Sequence, residues 1–326
     1  MTSTVVLTTI NAPSEIIDKW IALDHELIVV GDRKTPGSFS NLPVRFLDVA
    51  EQESQFPEFS AAVPFNHYSR KNLGYLHAIK NGATTIAETD DDNIPLAGWP
   101  KLPDLESVRQ ITSPRYPNVY RLFSDQHVWP RGFPLDRINL RQEIEIDDSA
   151  TTQAYIWQGM VNGDPDVDAI YRLTSEHFST EGFAFRDAGG YVLAPNVLCA
   201  FNTQNTVWTE PKAFPYLYLP CTVSFRATDI IKSYVAQYCI WALGGGIGFY
   251  GPTALQERNE HNFLKDLESE WVLYVRFDEM MRALDEVQYT GMPQDLYLSY
   301  EALSRIGITE KRELNTVELW LRQLED

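Results

Sequence analysis

The first hundred residues switch repeatedly between two periods, and this alternation limits the folds open to the chain more than any other feature. "TVVLTTI" (4–10) is a β-branched run with the character of a buried strand, and "PSEIIDKWIAL" (13–23) opens on Pro13 and sets Ile16, Ile17, Trp20 and Leu23 on one helical face. "ELIVVGD" (26–32) is a second strand, followed by a Pro/Gly/Ser loop to about residue 43 and a short strand "VRFLDV". A helix "NLGYLHAIKNG" (72–82) stops at Gly82, and the strand "TTIAET" then runs into Asp90, Asp91 and Asp92. Strands separated by helices predict an α/β fold, a mostly parallel sheet flanked by helices, with ligands beyond the carboxyl ends of the strands. Both "VVGD" and "IAETDDD" place charge at that edge.

The later chain is less regular. Residues 100–220 are rich in proline and aromatic residues with short strands, which fits an irregular, acceptor-facing half. "ATDIIKSYVAQYCIWAL" (227–243) predicts a helix starting after Thr228, with Asp229 in the first turn where the helix dipole favours negative charge. From about residue 260, three helices are expected: "HNFLKDLESEWVLYVRFDEMMRAL", "QDLYLSYEALSRIG" and "NTVELWLRQLE". The expected partition is a catalytic domain over 1–262 and a helical C-terminal extension over 263–326 packed on it. Aromatic positions after residue 265 offer a face for a homodimer.

With 326 residues, 44% of them apolar and 12% aromatic, the chain can bury a large core. A formal charge of −18 repels nucleic acid and anionic bilayers. An anionic small molecule remains admissible where a cation or a local basic cluster reverses the field. Three widely spaced cysteines, Cys199, Cys221 and Cys239, indicate neither a disulfide framework nor a zinc knuckle. No charged-then-apolar signal is read at the start, where a strand is expected from residue 4, and no apolar run approaches the length of a membrane span. A cytoplasmic protein, at most peripheral to the inner membrane, is expected.

Three adjacent aspartates after a buried strand are costly unless something positive meets them. A D-x-D arrangement can hold Mn²⁺ or Mg²⁺ through oxygen, leaving the other positions to water and phosphate. A solvated acidic turn is the plainer reading of "DDDN". An EF-hand is excluded, because Ile94 and Pro95 follow where a third ligand and a glycine are needed. Upstream, "NHYSRKNLGY" sets Arg70 and Lys71 at a helix N-terminus with Ser69 as a candidate cap, and "GDRKTPG" groups Asp32, Arg33 and Lys34 at a strand end. Their joint placement beside the aspartates suggests a diphosphate. "GGGIGFYG" matches G-x-G-x-x-G but follows a helix and is interrupted by Pro252, which excludes a dinucleotide loop. "NGDPDVDA" spaces Asp164, Asp166 and Asp168 two apart, as a second acidic wall or as an exposed turn. Of six histidines, His261 in "QERNEHN" is the candidate for an additional metal ligand.

Together, "VVGDRKTP", "YSRKNLGYLHAIKNGA", "ETDDDN", "NGDPDVDAIYRLT", "LPCTVSFRATDIIKSYVAQYCIWALGG" and "QERNEHN" resemble the STELLO-type glycosyltransferase-like family, over roughly residues 4–265. The resemblance implies a GT-A-like fold and transfer of a sugar from a nucleoside-diphosphate donor, a UDP-sugar favoured, to a glycan or glycolipid hydroxyl. It implies Asp90 and Asp92 as metal ligands, Asp92 the more direct. It also implies Asp32, Arg33 and Lys34 near the nucleobase and ribose, and Arg70, Lys71, Asn72, Asp90 and Asp91 near the diphosphate or donor sugar. "ATDIIKSYVAQYCIW" is similar to the E-D…Q-x-x-R-W pattern of inverting enzymes, which implies Asp229 as the base; from the residues themselves, Asp166 and Asp168, with Asp164, are the further catalytic candidates to which the base would otherwise fall. Thr228 stands where that pattern has glutamate, and Ile240 where it has arginine. A nucleotide-sugar mutase and a non-catalytic scaffold are the competing readings.

Overall fold

A computed structural model describes residues 3–140, 142–149, 151–175, 183–257 and 262–325. The strands are β1 (Ser3–Thr9), β2 (Glu26–Gly31), β3 (Arg45–Leu47), β4 (Thr85–Thr89), β5 (Asn93–Pro95), β6 (Arg109–Ser113), β7 (Glu145–Asp147), β8 (Gln153–Gly163), β9 (Gly190–Leu193), β10 (Asn205–Trp208) and β11 (Gly245–Gln256). The helices are α1 (Glu15–Ile21), α2 (Val49–Gln55), α3 (Pro57–Ala62), α4 (Asn72–Lys80), α5 (Tyr120–Phe123), α6 (Ala169–Thr174), α7 (Thr228–Ala242), α8 (Phe263–Val275), α9 (Phe277–Asp285), α10 (Gln294–Arg305) and α11 (Arg312–Glu325).

The strands form one sheet in the order β3-β2-β1-β4-β10-β8-β11-β9-β6-β7, with β5 added to β11. The N-terminal block β3-β2-β1-β4 is parallel throughout, as its strand–helix alternation requires. Beyond β4 the sheet is mixed. β10 runs antiparallel to both neighbours, while β8 and β11 are long parallel partners. The glycine run of 244–251 lies largely within β11, so it forms sheet and no phosphate loop. Gly245 and Gly248 leave room for Tyr155 and Trp157, whose rings lie where their side chains would stand.

Helix α4 fixes one wall of the site. Its Gly74 packs so tightly on the sheet that a Cβ there would come within 2.5 Å of Val6 and 2.6 Å of Val30. The helix therefore rests directly on β1 and β2. A 3₁₀ turn, Tyr68–Lys71, leads into it, and this turn is capped by the ring of His67, which accepts from the Ser69 N–H at 3.2 Å; Ser69 is not the cap.

The C-terminal segment forms four helices where three were expected. The first expected helix breaks at Arg276, whose guanidinium turns to the carbonyls of Ile306 (2.5 Å) and Gly307 (3.2 Å) at the end of α10. The helices pack on the rest of the chain through α6, α7 and the turn before it, α3 and α4. Their main polar tie is Glu313, fully buried, which accepts from Tyr218 Oη at 2.5 Å, from the N–H groups of Cys221 and Thr222 at 2.9 and 2.8 Å, and from the Thr222 hydroxyl. No helix among the described residues is long and apolar enough to cross a membrane.

Removing the Glu313 carboxylate strands two backbone donors and a phenol in the interior. Glu313→Ala is expected to cost about 3 kcal/mol in urea unfolding. A cost under about 0.5 kcal/mol would show that water replaces the carboxylate, as at an ordinary surface position.

Candidate functional site

The carboxyl ends of β1, β2 and β4 meet at one edge of the sheet. Val6 of β1 is level with Glu88 of β4 and Val30 of β2 with Thr8, so residues 8–11, 32–34 and 90–92 emerge together. They open on a cavity of about 480 Å³. Six carboxylates line it (Asp32, Asp90, Asp91, Asp92, Asp166 and Asp229) against three basic side chains (Lys34, Arg131 and Arg226). That imbalance makes the cavity a place for a cation or for hydroxyl groups before it is a place for a bare anion.

Each aspartate of the triplet has its own support. The chain returns into β5 immediately after them, and Trp20 of α1 donates its indole N–H to the Asn93 carbonyl at 2.7 Å, fixing the far end of the turn. Asp90 accepts from Tyr68 Oη and lies 3.3 Å from the Lys71 ammonium. Loss of solvation raises its pKa above the usual carboxylate value, even though a quarter of the side chain reaches the cavity, and Lys71 and Tyr68 pull it back down. Asp91 accepts from the Thr9 hydroxyl and from Asn11 Nδ2 at 2.9 Å. Asp92 accepts from Gln256 Nε2 at 3.0 Å.

The other wall is built around Arg131. Its Nε and Nη2 donate to the two oxygens of Asp166, both at 2.9 Å, and its Nη1 and Nη2 to those of Asp229 at 2.8 and 2.7 Å. Its backbone N–H reaches the Asp166 carbonyl at 3.1 Å, and Nη1 also reaches the Arg226 carbonyl. Burial works against the guanidinium charge, and Asp166 and Asp229 more than offset it, so its pKa is held well above the ordinary value. Gly132 allows this close approach. Its φ is +86°, and a Cβ there would fall 2.4 Å from Ile230 in the first turn of α7. Asn202 adds a 3.0 Å bond to Asp166.

The expected site residues divide into two groups. Asp32, Lys34, Asp90, Asp91, Asp92, Asp166 and Asp229 come together around the cavity. Asp32 is held by the N–H groups of Arg33 (2.6 Å) and Asn66 (2.7 Å). Arg33, Arg70, Lys71, Asn72 and Asp168 do not line it. Arg33 lies over the Phe65 ring at 3.8 Å. Arg70 is fully buried and cannot face a diphosphate: it donates to the carbonyls of Ser60 and Val63 at 2.9 and 3.0 Å and so ties the start of α4 to α3. Lys71 stands behind the aspartates and bonds the Thr89 carbonyl at 2.6 Å. The Asn72 amide exchanges two 2.8 Å bonds with the backbone of Leu219.

The acidic run 164–168 is no exposed turn: all three aspartates are buried. Asp164 pairs with Arg172 at 2.5 Å. Asp168 is the N-cap of α6, accepting from Tyr171 N at 2.7 Å and from Trp129 Nε1 at 2.6 Å, which removes it from the catalytic set. His261 lies outside the described residues. Arg131, Tyr68, Gln204, Gln256 and Phe225 also line the cavity, and sequence reasoning missed them. For Arg131, the one local cue was Gly132 after it, a residue suited to a tight turn.

A divalent cation fits the donor chemistry of the triplet. Among the described residues no three acidic, histidine or cysteine side chains form a closed cage. Hard cations that serve phosphates commonly take only one or two protein carboxylates, with phosphate oxygens and water completing the shell. Asp90 and Asp92 present oxygen donors of that kind at the cavity wall.

A large central sheet flanked by helices, with an acidic crevice beyond the carboxyl ends of its parallel strands, makes this an α/β protein with a cavity in the position where such sheets bind ligands. No family model matches the sequence. The chain is 26% identical over 340 aligned residues to "Probable glycosyltransferase STELLO1" of Arabidopsis thaliana, covering 98% of this chain and 44% of that protein. It is 31% identical over 245 residues to "Probable glycosyltransferase STELLO2" of the same plant, covering 70% of this chain and 32% of that protein. The chain belongs to the STELLO-type glycosyltransferase-like family, and it spans less than half the length of these relatives. Among solved structures, Staphylococcus aureus TarS residues 1–349 with UDP-GlcNAc superposes with a TM-score of 0.43 at 9% identity, covering 99% of this chain and 82% of that one. The mannosyltransferase PcManGT of Pyrobaculum calidifontis, with GDP-Man and Mn²⁺, gives 0.39 at 12% identity, covering 98% and 74%.

Two predictions follow from the electrostatics. Arg131→Met leaves Asp166 and Asp229 as uncompensated neighbours and is expected to cost about 3 kcal/mol or more in chemical unfolding. Adding Asp229→Asn should recover part of that loss; no recovery would mean that packing, and not charge, is what Arg131 supplies. For Asp168, burial raises the pKa from 3.8 to about 6, against the pull of the Tyr171 and Trp129 bonds. Between those values the folded state holds a proton that the unfolded state has released, so stability falls as pH rises through that window. Asp168→Asn should remove that slope, whatever its constant offset, in urea titrations at pH 4 to 6.5; an unaltered slope would assign it to other groups.

Proposed function

We propose that this chain is the catalytic part of a metal-dependent glycosyltransferase. It would move a sugar from a nucleoside-diphosphate donor, a UDP-sugar favoured, to a hydroxyl of a glycan or glycolipid. The observation that carries the reading is the cavity itself: an aspartate triplet at the carboxyl end of β4 faces, across one space, a second carboxylate pair organised by Arg131. The names of the plant relatives support it.

In this reading the nucleoside lies over the ends of β1 and β2, where Asp32 is pinned by backbone N–H groups and can accept from donor hydroxyls, and Lys34 faces the phosphates. Asp90 and Asp92 would hold Mn²⁺ or Mg²⁺, which when bound neutralises charge on the departing diphosphate. Asp229 takes the acceptor proton as the acceptor oxygen bonds to the anomeric carbon and the bond from that carbon to the diphosphate oxygen breaks. A single displacement of this kind inverts the anomeric centre. Arg131 orients both Asp229 oxygens, so the lone pair left for the acceptor has a fixed direction. Lys71 buttresses Asp90 from the protein side.

The test is calorimetric titration with UDP and GDP, each with Mn²⁺ and again with EDTA. Binding of one nucleotide that weakens at least about tenfold in EDTA, and equally in Asp92→Ala, is the expected result. Asp229→Asn should bind that nucleotide normally while turnover falls by about 10² or more. Affinity indifferent to chelator would overturn the metal assignment, and absence of nucleotide binding altogether would leave the fold as a scaffold.

A further inference from the structure

Two exposed large apolar side chains line the cavity, Ile10 and Phe225. Ile10 directly follows β1, on the nucleotide side of the proposed arrangement. Phe225 comes from the opposite side, on the 3₁₀ turn Phe225–Ala227 that runs into α7 and Asp229. More than half of it, 55%, is open to the cavity side and solvent. Its backbone is nevertheless fastened. The Ser224 hydroxyl donates to the Ser269 carbonyl, Arg226 N lies 3.3 Å from Ser269 Oγ, the Arg226 guanidinium pairs with Glu270, and Arg131 donates to the Arg226 carbonyl. The ring also makes T-shaped contacts with Tyr68, 5.3 Å away at 64°, and with His67, 6.5 Å away at 72°. An aromatic ring held this firmly, yet left uncovered inside a polar cavity, is pre-organised for a ligand with an apolar face.

We propose that Phe225 is the platform of the acceptor subsite and that it takes a neutral pyranoside, whose C–H face packs on the ring while its hydroxyls reach Asp229, Asp166 and Gln204. This rests on the transferase reading above and specifies its acceptor. Three observations favour it. The electron-rich face of an aromatic ring attracts the polarised C–H groups of a sugar. The ring lies four residues before the proposed base and lines the same cavity as Asp229. The excess of carboxylates in the lining welcomes hydroxyl donors and repels uronate or phosphate groups on the acceptor.

The experiment is saturation-transfer NMR with methyl β-D-glucopyranoside and methyl β-D-galactopyranoside, with methyl β-D-glucuronide as the charged comparison. Each is measured with and without UDP and Mn²⁺, on the wild type, Phe225→Ala and Phe225→Trp. The expected result is transfer to the ring C–H protons of at least one neutral glycoside, lost in Phe225→Ala, kept in Phe225→Trp and weak for the glucuronide. The corresponding weakening in Phe225→Ala is about tenfold, with UDP affinity changed less than about twofold. The inference is overturned if no neutral glycoside receives saturation, if Phe225→Ala leaves the transfer unchanged, or if UDP binding falls about tenfold in that variant, which would give the ring to the nucleobase. Absence of UDP binding in the wild type strikes the transferase reading instead, and the nucleotide-free spectra then decide the platform independently. Circular dichroism of both variants separates a lost site from a lost fold.

Discussion

The site depends on one buried cation. Arg131 holds Asp166 and Asp229 through paired hydrogen bonds, and each of those carboxylates stands on a different element, one in the segment before α6 and the other at the start of α7. Without a guanidinium between them, two nearly dry carboxylates would repel, and one would take up a proton or move into solvent. The pair therefore closes the cavity wall only because a planar, permanently charged fork is available, a geometry that lysine cannot reproduce. The turn carrying Arg131 reaches that position because Gly132 has no side chain to strike Ile230.

A second compensation stands opposite. Glu88, one residue before the end of β4, is fully buried and meets the Lys232 ammonium, the Tyr75 hydroxyl at 2.5 Å and the Trp208 indole N–H at 2.7 Å. Burial lowers the Lys232 pKa and Glu88 opposes that shift. The two walls are thus joined through the core: β4 carries Glu88 and leads to the aspartate triplet, while α7 carries both Lys232 and Asp229. The depth of the helix in the sheet and the position of the carboxylates at the cavity are set by the same buried contacts.

How much of this was legible from the sequence follows the physics of each part. The β1–α1–β2 and α4–β4 elements showed because their apolar spacing is local and periodic. The end of β4 showed as a site because charge after a buried strand is anomalous on its face. The antiparallel additions beyond β4 left little trace, since β9 and β10 are four residues each and pairing across the sheet depends on partners about fifty residues apart in the case of β10 and β8. Arg70 and Arg131 illustrate the limit most sharply. Both are single arginines beside turns, yet one proved to be an internal tie among carbonyls and the other the organiser of the cavity wall. Only the tertiary surroundings distinguish them.

The C-terminal helices bear on the chemistry although none of their described residues lines the cavity. Glu313 grips the backbone at Cys221 and Thr222, and Glu270 grips Arg226 and the first N–H of α6. Those anchors bracket residues 221–226, the stretch that carries the bare aromatic ring and leads to the carboxylate beyond it. A chain cut after residue 262 would keep every cavity-lining residue and still lose the outer brace that holds this rim at its working distance from the sheet. The helical end of the molecule is thus less an appendage than the abutment against which the mouth of the cavity is built.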